Sequence, residues 1–203
     1  MIDPRLYKQF KEIGRDLYVA GLISSHGGNM SVRLGDKVVI KRRGAMLGRL
    51  KPHDLIETGL YKPDSGVILA STELIVHRTI YLSTPALAVI HAHPRTAIAL
   101  SLSRGEIVPI DVEGSYLLKK IPVIEAEFAS GSPEMAQAIA DALKEYKIVM
   151  LRGHGCFSTG QTLEEAFQWV TVLEESSQII LKAKIINEPF IEYRKMSEFY
   201  TKW

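Results

Sequence analysis

The sequence alternates between short apolar runs typical of strands and longer segments in which apolar residues recur with helical spacing. Helices are predicted from Pro4 to about Gly21, over 72–82 and 94–103, and in two segments that begin near Pro133 and Thr162. Strands are predicted over 30–33, 38–40, 87–93 and 147–152. Several links between these elements are short hairpins. We therefore expect an α/β fold of three layers, in which a central mixed, largely antiparallel sheet carries helices on both faces.

The length and composition are typical of one folded unit. Of the 203 residues, 46% are hydrophobic and 24% are charged, a balance that allows the chain to bury one substantial core. No internal repeat, low-complexity tract or linker divides the sequence. We expect a single domain over residues 1–203, in which residues 187–203 form an irregular or weakly helical arm.

Charge and cysteine content argue against several classes of protein. Twenty-five basic and 23 acidic residues leave a net charge of +2 without a long basic run, so nucleic acid is not an expected partner. The single cysteine, Cys156, cannot form an internal disulfide, which fits a reducing compartment. No apolar run approaches the roughly 18 residues of a membrane span, and the start Met1-Ile2-Asp3 shows no basic leader. We expect a cytoplasmic protein with no membrane partner.

The segment His91-Ala92-His93 is the sharpest chemical signal in the sequence. In a strand, residues two apart lie on the same face, so both imidazoles point the same way at a separation that one cation can bridge. A third imidazole, His154, lies between two glycines just after a predicted buried strand. A histidine in such a loop is either functional or merely packed, and the glycines allow the backbone to approach closely.

Glu73 can complete a set of metal ligands with these histidines. It lies in the predicted first turn of a helix, where the helix dipole by itself favours a carboxylate. Three neutral nitrogen ligands and one carboxylate nevertheless make a complete site for Zn²⁺ or another divalent transition ion. The sequence therefore predicts a metal site made by Glu73, His91, His93 and His154.

The other histidines and the cysteine are expected to have lesser roles. His26, His53 and His77 have no histidine two residues away, so we expect them at the surface or next to the metal ligands. Cys156 follows the predicted metal-binding turn and is interpreted as a small buried residue, with metal ligation as the alternative.

Three further segments carry the groups that bind a phosphate without a Walker motif. They are the loop Gly27-Gly28-Asn29, the turn Arg43-Gly44 and the predicted helix start Ser71-Thr72. Each segment also has an ordinary explanation. Gly27-Gly28-Asn29 can be a simple turn, and Arg43 can be a solvated basic residue in the run Lys41-Arg42-Arg43. Ser71 can be a helix N-cap. Neither a G-x-G-x-x-G nor a G-x-S-x-G motif is present, so dinucleotide binding and serine hydrolase chemistry have no support.

Taken together, these motifs resemble the class II aldolase/adducin family. The resemblance rests on four segments in the family's order and spacing: Gly27 to Ser31, Ser71-Thr72-Glu73, His91 to Pro94, and Gly153-His154-Gly155. It extends over nearly the whole chain, from the first helix to the long last helix. The resemblance implies the class II aldolase fold, a lyase activity, and a homotetramer with active sites at the subunit interfaces.

The resemblance also implies a role for each matched residue. The divalent metal, normally Zn²⁺ with Mn²⁺ or Co²⁺ as alternatives, is expected to be held by Glu73, His91, His93 and His154. Glu73 is expected to serve as the acid/base as well. The phosphate site is expected at Asn29, Arg43, Gly44, Ser71 and Thr72.

The implied reaction is reversible cleavage of a ketose 1-phosphate, such as L-fuculose 1-phosphate, through a metal-stabilised enediolate. The products would be dihydroxyacetone phosphate and an aldehyde such as lactaldehyde. In the direction of synthesis, Glu73 would take a proton from dihydroxyacetone phosphate. Relatives that epimerise, dehydrate or decarboxylate phosphorylated sugars offer an alternative. A noncatalytic, adducin-like interaction module is a third interpretation, which the four intact ligand positions disfavour.

The sequence departs from the family pattern where a general acid is expected. Residues 109–116 place an acidic residue where the fuculose-type aldolases carry a tyrosine, so Glu113 and Tyr116 are both candidates. Tyr200 of the C-terminal arm is a further one. Arg43 replaces the small hydroxyl residue usual beside Gly44, and it could contact the phosphate through two hydrogen bonds or indicate a different acidic group on the substrate.

Overall fold

The computed structural model describes residues 2–126 and 131–192, and its framework is one sheet of eight strands. The strands are β1 (Asn29–Leu34), β2 (Lys37–Lys41), β3 (Leu55–Gly59), β4 (Ala88–Ala92), β5 (Glu106–Ile107), β6 (Ile121–Ile124), β7 (Ile148–Leu151) and β8 (Gly155–Gly160). The α-helices are α1 (Pro4–Val19), α2 (Leu74–Ser83), α3 (Arg95–Ser101), α4 (Val112–Leu117), α5 (Pro133–Ala142) and α6 (Leu163–Ile186). Short 3₁₀ helices lie at Leu47–Arg49, Pro52–Asp54 and Ser65–Ile68.

The strands are ordered β3-β2-β1-β4-β8-β7-β6-β5 across the sheet. Within the described ranges, every neighbouring pair is antiparallel except β6 and β7. A tight turn at Gly35-Asp36 joins β1 to β2 and sets the register that pairs Ser31 with Ile40. The expectation of a mixed, largely antiparallel sheet is therefore confirmed.

Helices cover both faces of the sheet, as the sequence predicts. On one face α1, α3 and α6 pack around buried side chains that include Phe10, Ile90 and Trp169. On the other face α2 and α5 pack against each other and the sheet around Ile80 and Phe157. Each large apolar side chain buried in this way contributes about 1.5–3 kcal/mol. Apolar packing on both faces thus holds the three layers together.

Local hydrogen bonds determine where the first and last helices begin and end. The Asp3 carboxylate accepts the N–H of Arg5 at 2.7 Å, so α1 starts at Pro4. The Thr162 hydroxyl accepts the N–H of Glu165 at the start of α6. Asn187 adopts a left-handed conformation (φ 54°) and ends α6. Residues 187–192 form no helix or strand, and the rest of the expected arm, 193–203 with Tyr200, lies outside the described residues.

None of the helices in the described part of the chain is both long enough and apolar enough to cross a lipid bilayer.

Candidate active site

Several segments that are distant in the sequence meet at one end of the sheet. Strand β4 is antiparallel to both β1 and β8, and its residue His91 is paired with Asn29 on one side and Phe157 on the other. The start of β1, the end of β4 and the start of β8 therefore lie side by side. The segment before α2 joins them because Asn29 Nδ2 donates to Glu73 Oε2 at 2.7 Å.

His91, His93 and His154 form a cluster at this end of the sheet. One nitrogen of each ring lies within 4.8 Å of one nitrogen of each of the other two rings. The Nε2 atoms of His91 and His93 are 2.9 Å apart. The ring centroid of His154 is 4.9 Å from that of His91 and 5.4 Å from that of His93. The structure thus brings together the three imidazoles that the sequence analysis proposes as metal ligands.

The protonation states of His91 and His93 suit a bound cation. His91 Nδ1 donates to the carbonyl oxygen of Cys156 at 2.9 Å, so the lone pair of His91 Nε2 faces the cluster. Burial, and then the charges of His93 and His154, hold the pKa of His91 well below its usual range. Burial likewise lowers the pKa of His93. His154 Nδ1 is buried without a hydrogen-bond partner among the described residues. Neutral imidazoles arranged in this way are the form that binds a transition-metal ion.

The absence of a side chain at Gly155 permits this close approach. A Cβ atom at this position would lie 2.4 Å from the carbonyl oxygen of Ala92 and 2.8 Å from Cδ2 of His93. Real Cβ atoms do not make contacts this short, so any other residue would displace β8 from β4 or move the His93 ring. Gly155 therefore belongs to the framework that holds the histidines together.

Glu73 is buried beside the histidine cluster. Helix α2 begins at Leu74, two residues later than predicted, so Glu73 is the N-cap residue and not part of the first turn. The Ser71 hydroxyl accepts the Glu73 N–H at 3.4 Å and holds a turn ahead of the helix. Glu73 Oε2 is 3.4 Å from His91 Nε2, and Oε1 is 3.9 Å from His154 Nε2. Three nitrogen ligands and a facing carboxylate fit a divalent transition-metal ion.

A chain of buried hydrogen bonds lies behind Glu73. Asn29 donates to Glu73 through Nδ2, and its Oδ1 is hydrogen-bonded to His77 Nε2. His77 Nδ1 is 2.6 Å from Ser31 Oγ, which is 2.7 Å from Tyr81 Oη. Burial raises the pKa of Tyr81, so the phenol stays protonated. The sequence analysis expected His77 at the surface or near the metal ligands, and the structure buries it behind Asn29 because it lies on the inner face of α2.

Acid should destabilise the metal-free protein through His77. Burial lowers the pKa of His77 to about 3, while Glu73 acts to raise it and His91 to lower it. In the unfolded chain the pKa returns to about 6.5, so the unfolded state binds more protons between these values. The free energy of unfolding should therefore fall as the pH drops below about 6.5, by about 2 kcal/mol at pH 5 from His77 alone.

Urea unfolding of EDTA-treated protein at pH 7 and pH 5 measures this loss. The His77→Gln variant should lose about 2 kcal/mol less than the wild type over the same interval. An identical loss in both proteins would show that His77 does not titrate on unfolding.

The residues expected to bind phosphate lie next to Glu73. The N–H of Ser71 donates to the carbonyl oxygen of Lys41 at 3.0 Å, and the N–H of Arg43 donates to that of Leu69 at 2.8 Å. The turn Arg43-Gly44 therefore adjoins the segment Ser71-Thr72. Arg43, Gly44 and Thr72 are exposed, whereas Ser71 is buried. Asn29, the fifth member of the set, is buried and hydrogen-bonded to Glu73.

Lys41 is a buried cation in this region that the sequence analysis did not single out. It ends β2, is 4% exposed, and its Nζ donates to the carbonyl oxygen of His26 at 3.2 Å. Burial lowers the pKa of the Lys41 ammonium, against the opposing effects of Glu73 and Asp54. No ion pair to a carboxylate within 4.0 Å involves Lys41 in the described part of the chain. In the sequence Lys41 is one of three consecutive basic residues, Lys41-Arg42-Arg43, and only the burial of β2 in the structure distinguishes it from the exposed Arg43.

The two candidate general acids, Glu113 and Tyr116, are not brought to the histidine cluster of the same chain. Both lie on α4 and are exposed, with Tyr116 at 44%. Tyr116 lies near Lys147, which precedes β7 at the end of the sheet opposite the turn of His154. A single chain therefore does not place either side chain against the proposed metal ligands.

The remaining residues behave as the sequence analysis expected. Cys156 is fully buried on the side of the sheet that faces α6, and burial raises the pKa of its thiol to about 12. Its side chain packs on the face of the sheet opposite to that of Phe157 and is not among the residues whose ligand atoms cluster with those of the histidines, so Cys156 is a core residue. His26 and His53 are exposed.

Comparison with known proteins identifies relatives over most of the chain. The Class II Aldolase and Adducin N-terminal domain family matches residues 8–181. The L-fuculose phosphate aldolase of Methanocaldococcus jannaschii is 34% identical over 177 residues, which cover 86% of this chain and 94% of that protein. The 3-oxo-tetronate 4-phosphate decarboxylase of Haemophilus influenzae is 29% identical over 175 residues, which cover 83% of each chain.

A solved structure agrees with this assignment. The crystal structure of L-fuculose-1-phosphate aldolase from Thermus thermophilus superposes with a TM-score of 0.87 at 40% sequence identity. The match covers 93% of this chain and 100% of that one. With the family match extending over most of the sequence, the chain belongs to the class II aldolase and adducin family and is an enzyme of the lyase class.

Proposed function

We propose that this enzyme is a metal-dependent aldolase that reversibly cleaves L-fuculose 1-phosphate, a ketose 1-phosphate, to dihydroxyacetone phosphate and lactaldehyde. The observation that carries the proposal is the buried Glu73 carboxylate facing a cluster of three histidines, beside an exposed turn that can hold an anion. Relatives named as fuculose phosphate aldolases support the choice of substrate.

The proposed metal ligands are His91, His93, His154 and Glu73. Zn²⁺ is the proposed ion, and Mn²⁺ or Co²⁺ suit the same nitrogen and oxygen donors. When bound, such an ion supplies Lewis acidity that stabilises negative charge developing on the substrate oxygens.

Glu73 is the proposed acid/base. Its carboxylate is buried and held in place by Asn29, an arrangement that suits it to take a proton from the substrate carbon. The phosphate is proposed to lie against Asn29, Arg43, Gly44, Ser71 and Thr72. The hydroxyls of Ser71 and Thr72, the Asn29 amide and the guanidinium of Arg43 can donate to its oxygens.

Lys41 adds a positive charge near this anion site. In a low-dielectric environment a buried ammonium attracts a doubly charged phosphate more strongly than an exposed lysine does. We therefore expect Lys41 to favour anionic over neutral substrates, although it does not itself need to touch the phosphate.

Replacing Lys41 by methionine should raise the KM for the phosphorylated ketose about tenfold, equivalent to ~1.4 kcal/mol, with a smaller change in kcat. Methionine keeps the apolar stem of the side chain and removes its charge, together with its hydrogen bond to the carbonyl oxygen of His26. Arg43→Ala should change KM in the same direction. Steady-state kinetics test this, with the exposed Lys11→Met on α1 as the matched control. A KM equal to that of the control would exclude Lys41 from anion recognition.

Either Glu113 or Tyr116 is proposed to act as the general acid from a neighbouring subunit. Both are exposed on α4, and Tyr116 lies near Lys147, at the end of the sheet opposite the turn of His154, which favours a site shared between copies. We accordingly propose a cytoplasmic homotetramer with its active sites at the subunit interfaces. The single buried cysteine suits a reducing compartment.

A second candidate is a decarboxylase, epimerase or dehydratase that uses the same residues on another phosphorylated sugar. The similarity to the decarboxylase of Haemophilus influenzae favours keeping this alternative. Only the aldolase forms dihydroxyacetone phosphate from the ketose 1-phosphate, so product analysis separates the two.

The decisive experiment combines elemental analysis with an assay of dihydroxyacetone phosphate release from L-fuculose 1-phosphate. Near-stoichiometric zinc and release that EDTA abolishes would support the aldolase. Zinc without release would favour a sister reaction at the same site. Purified protein that takes up no divalent metal would contradict the ligand assignment itself.

A further inference from the structure

The hydrogen bonds behind Glu73 form an unbroken buried chain across five side chains. Their exposed fractions range from 0% to 5%, so water does not satisfy these groups. The members, in order from the cluster inward, are Glu73, Asn29, His77, Ser31 and Tyr81. A network of this kind is stable only if each proton has an acceptor, so the chemistry of the members determines where the protons lie.

The direction of the chain follows from its first member. A carboxylate only accepts hydrogen bonds, so Asn29 must present its NH₂ group to Glu73 and its carbonyl oxygen to His77. An amide carbonyl oxygen also only accepts, so His77 must carry its proton on Nε2. Its Nδ1 lies 2.6 Å from the Ser31 hydroxyl, which can donate, so in the neutral ring Nδ1 is the lone pair that accepts.

The second half of the chain is then determined as well. The lone pair on His77 Nδ1 accepts the hydroxyl proton of Ser31, 2.6 Å away. The Ser31 oxygen in turn accepts the phenol proton of Tyr81, 2.7 Å away. The directions are therefore set from the Glu73 carboxylate inward, and the Ser31 hydroxyl supports the Nε2–H tautomer of His77 by donating to Nδ1.

We propose that His77 is a positioning residue for Glu73: its Nε2–H tautomer fixes the Asn29 amide so that Nδ2 donates to Glu73 Oε2. The consequence for catalysis rests on the proposed function, in which Glu73 is the acid/base. With the amide turned the other way, an oxygen would face the carboxylate and repel it. His77 thus ensures that Glu73 is held by a donor on the side away from His154.

The arrangement also links the base to the anion site. The Asn29 NH₂ group has two hydrogens, and one is donated to Glu73. The second hydrogen is oriented by the same contact with His77 and can meet the substrate phosphate, for which Asn29 is already a proposed ligand. Fixing one amide therefore orients two groups that act on the same substrate.

The first test reads the tautomer directly. Protein labelled with ¹⁵N-histidine, as purified with its metal, should show at pH 7 a His77 ring that is neutral and protonated at Nε2. A neutral ring protonated at Nδ1, or a cationic ring, would overturn the proposal. This measurement requires no substrate, so it stays valid even if the protein proves not to be an aldolase.

The second test uses variants of the same position. His77→Leu removes the donor, and the kcat for proton exchange at dihydroxyacetone phosphate should fall about 30-fold while KM changes less than about threefold. His77→Gln offers an amide donor that can reach Asn29 Oδ1, and its kcat should return to within about threefold of the wild type. A leucine variant as fast as the wild type, or a glutamine variant as slow as the leucine variant, would refute the positioning role. Absence of exchange in the wild type would count against the proposed aldolase, not against the tautomer.

A third variant covers the case in which His77→Leu fails to fold. Ser31→Ala deletes the hydroxyl that donates to His77 Nδ1 and leaves His77 in place. The Nε2–H tautomer then loses part of its support, so the NMR spectrum should show a second tautomer and kcat should fall about fivefold. The matched control is Ser177→Ala, which deletes another buried hydroxyl, bonded within α6 to the carbonyl oxygen of Leu173. A single unchanged tautomer in Ser31→Ala would contradict the support by Ser31.

Discussion

Replacing His93 by alanine is expected to remove bound metal and activity together. His93 Nε2 lies 2.9 Å from His91 Nε2, and the variant would lack one of the four residues proposed to hold the ion. Loss of one ligand opens the site to water and should weaken metal binding at least about 100-fold. Elemental analysis after dialysis against a metal buffer, together with release of dihydroxyacetone phosphate, measures both effects.

The control for this prediction is His53→Ala, since His53 is an exposed imidazole on a 3₁₀ helix outside the cluster. It should keep the metal content and the rate of the wild type. Circular dichroism should show that both variants remain folded, because His93 is only half-buried and its loss leaves no large cavity. Full metal content in His93→Ala would refute the assignment of the three histidines.

Glu73→Gln is expected to abolish proton exchange at the substrate carbon, by about 10²–10⁴-fold in rate. Glutamine has the shape of glutamate and can still accept the hydrogen bond from Asn29, so the fold should persist. The three imidazoles remain, so much of the metal should remain as well. Uptake of deuterium from solvent into dihydroxyacetone phosphate, followed by NMR, separates this proton transfer from cleavage of the carbon bond.

The matched control is Glu12→Gln, which neutralises an exposed carboxylate on α1 that pairs with Lys8. It should exchange deuterium at the wild-type rate. If Glu73→Gln also exchanges at that rate while it retains metal, another group is the base. A variant that loses its metal completely would instead show that Glu73 is needed chiefly as a ligand.

The set of proposed metal ligands could be read from the sequence because each signal is local. Residues two apart on a strand share a face, and this relation alone aligns His91 with His93. The turn glycines around His154 and the polar residues before α2 are likewise visible in short segments. These segments follow one another in the order and spacing of the family, and this resemblance joined them into one predicted site. The family match over residues 8–181 supports the resemblance.

The residues that the sequence analysis missed depend on contacts between distant segments. Lys41 is indistinguishable from its exposed neighbour Arg43 until β2 is placed between β1 and β3 and buried. His77 becomes part of the site only because α2 packs on the sheet above Asn29 and Ser31. Neither contact can be detected from residues that are close in the sequence. Lys41 is bonded to His26, 15 residues away, and His77 to Ser31, 46 residues away.

Glu113 and Tyr116 are the opposite case, in which the sequence suggests a role that the fold of one chain does not account for. The sequence made them candidates for the general acid at a point where it departs from the family pattern, and the fold of one chain leaves them exposed on α4. In the proposed homotetramer a second copy would bring them to the histidines, and such an approach depends on assembly, which neither periodicity nor the packing of one chain specifies.

By itself the sequence determined the alternation of helices and strands, the hairpin between β1 and β2, and the donors that suit a transition-metal ion. These depend on side-chain periodicity, turn residues and ligand chemistry, which act over a few residues. Only the tertiary structure decided that Glu73 precedes α2, that Lys41 is buried and that His77 lies behind Asn29. Each of these depends on strand register and helix packing, since burial and hydrogen bonding in the core are set by segments that are distant along the chain.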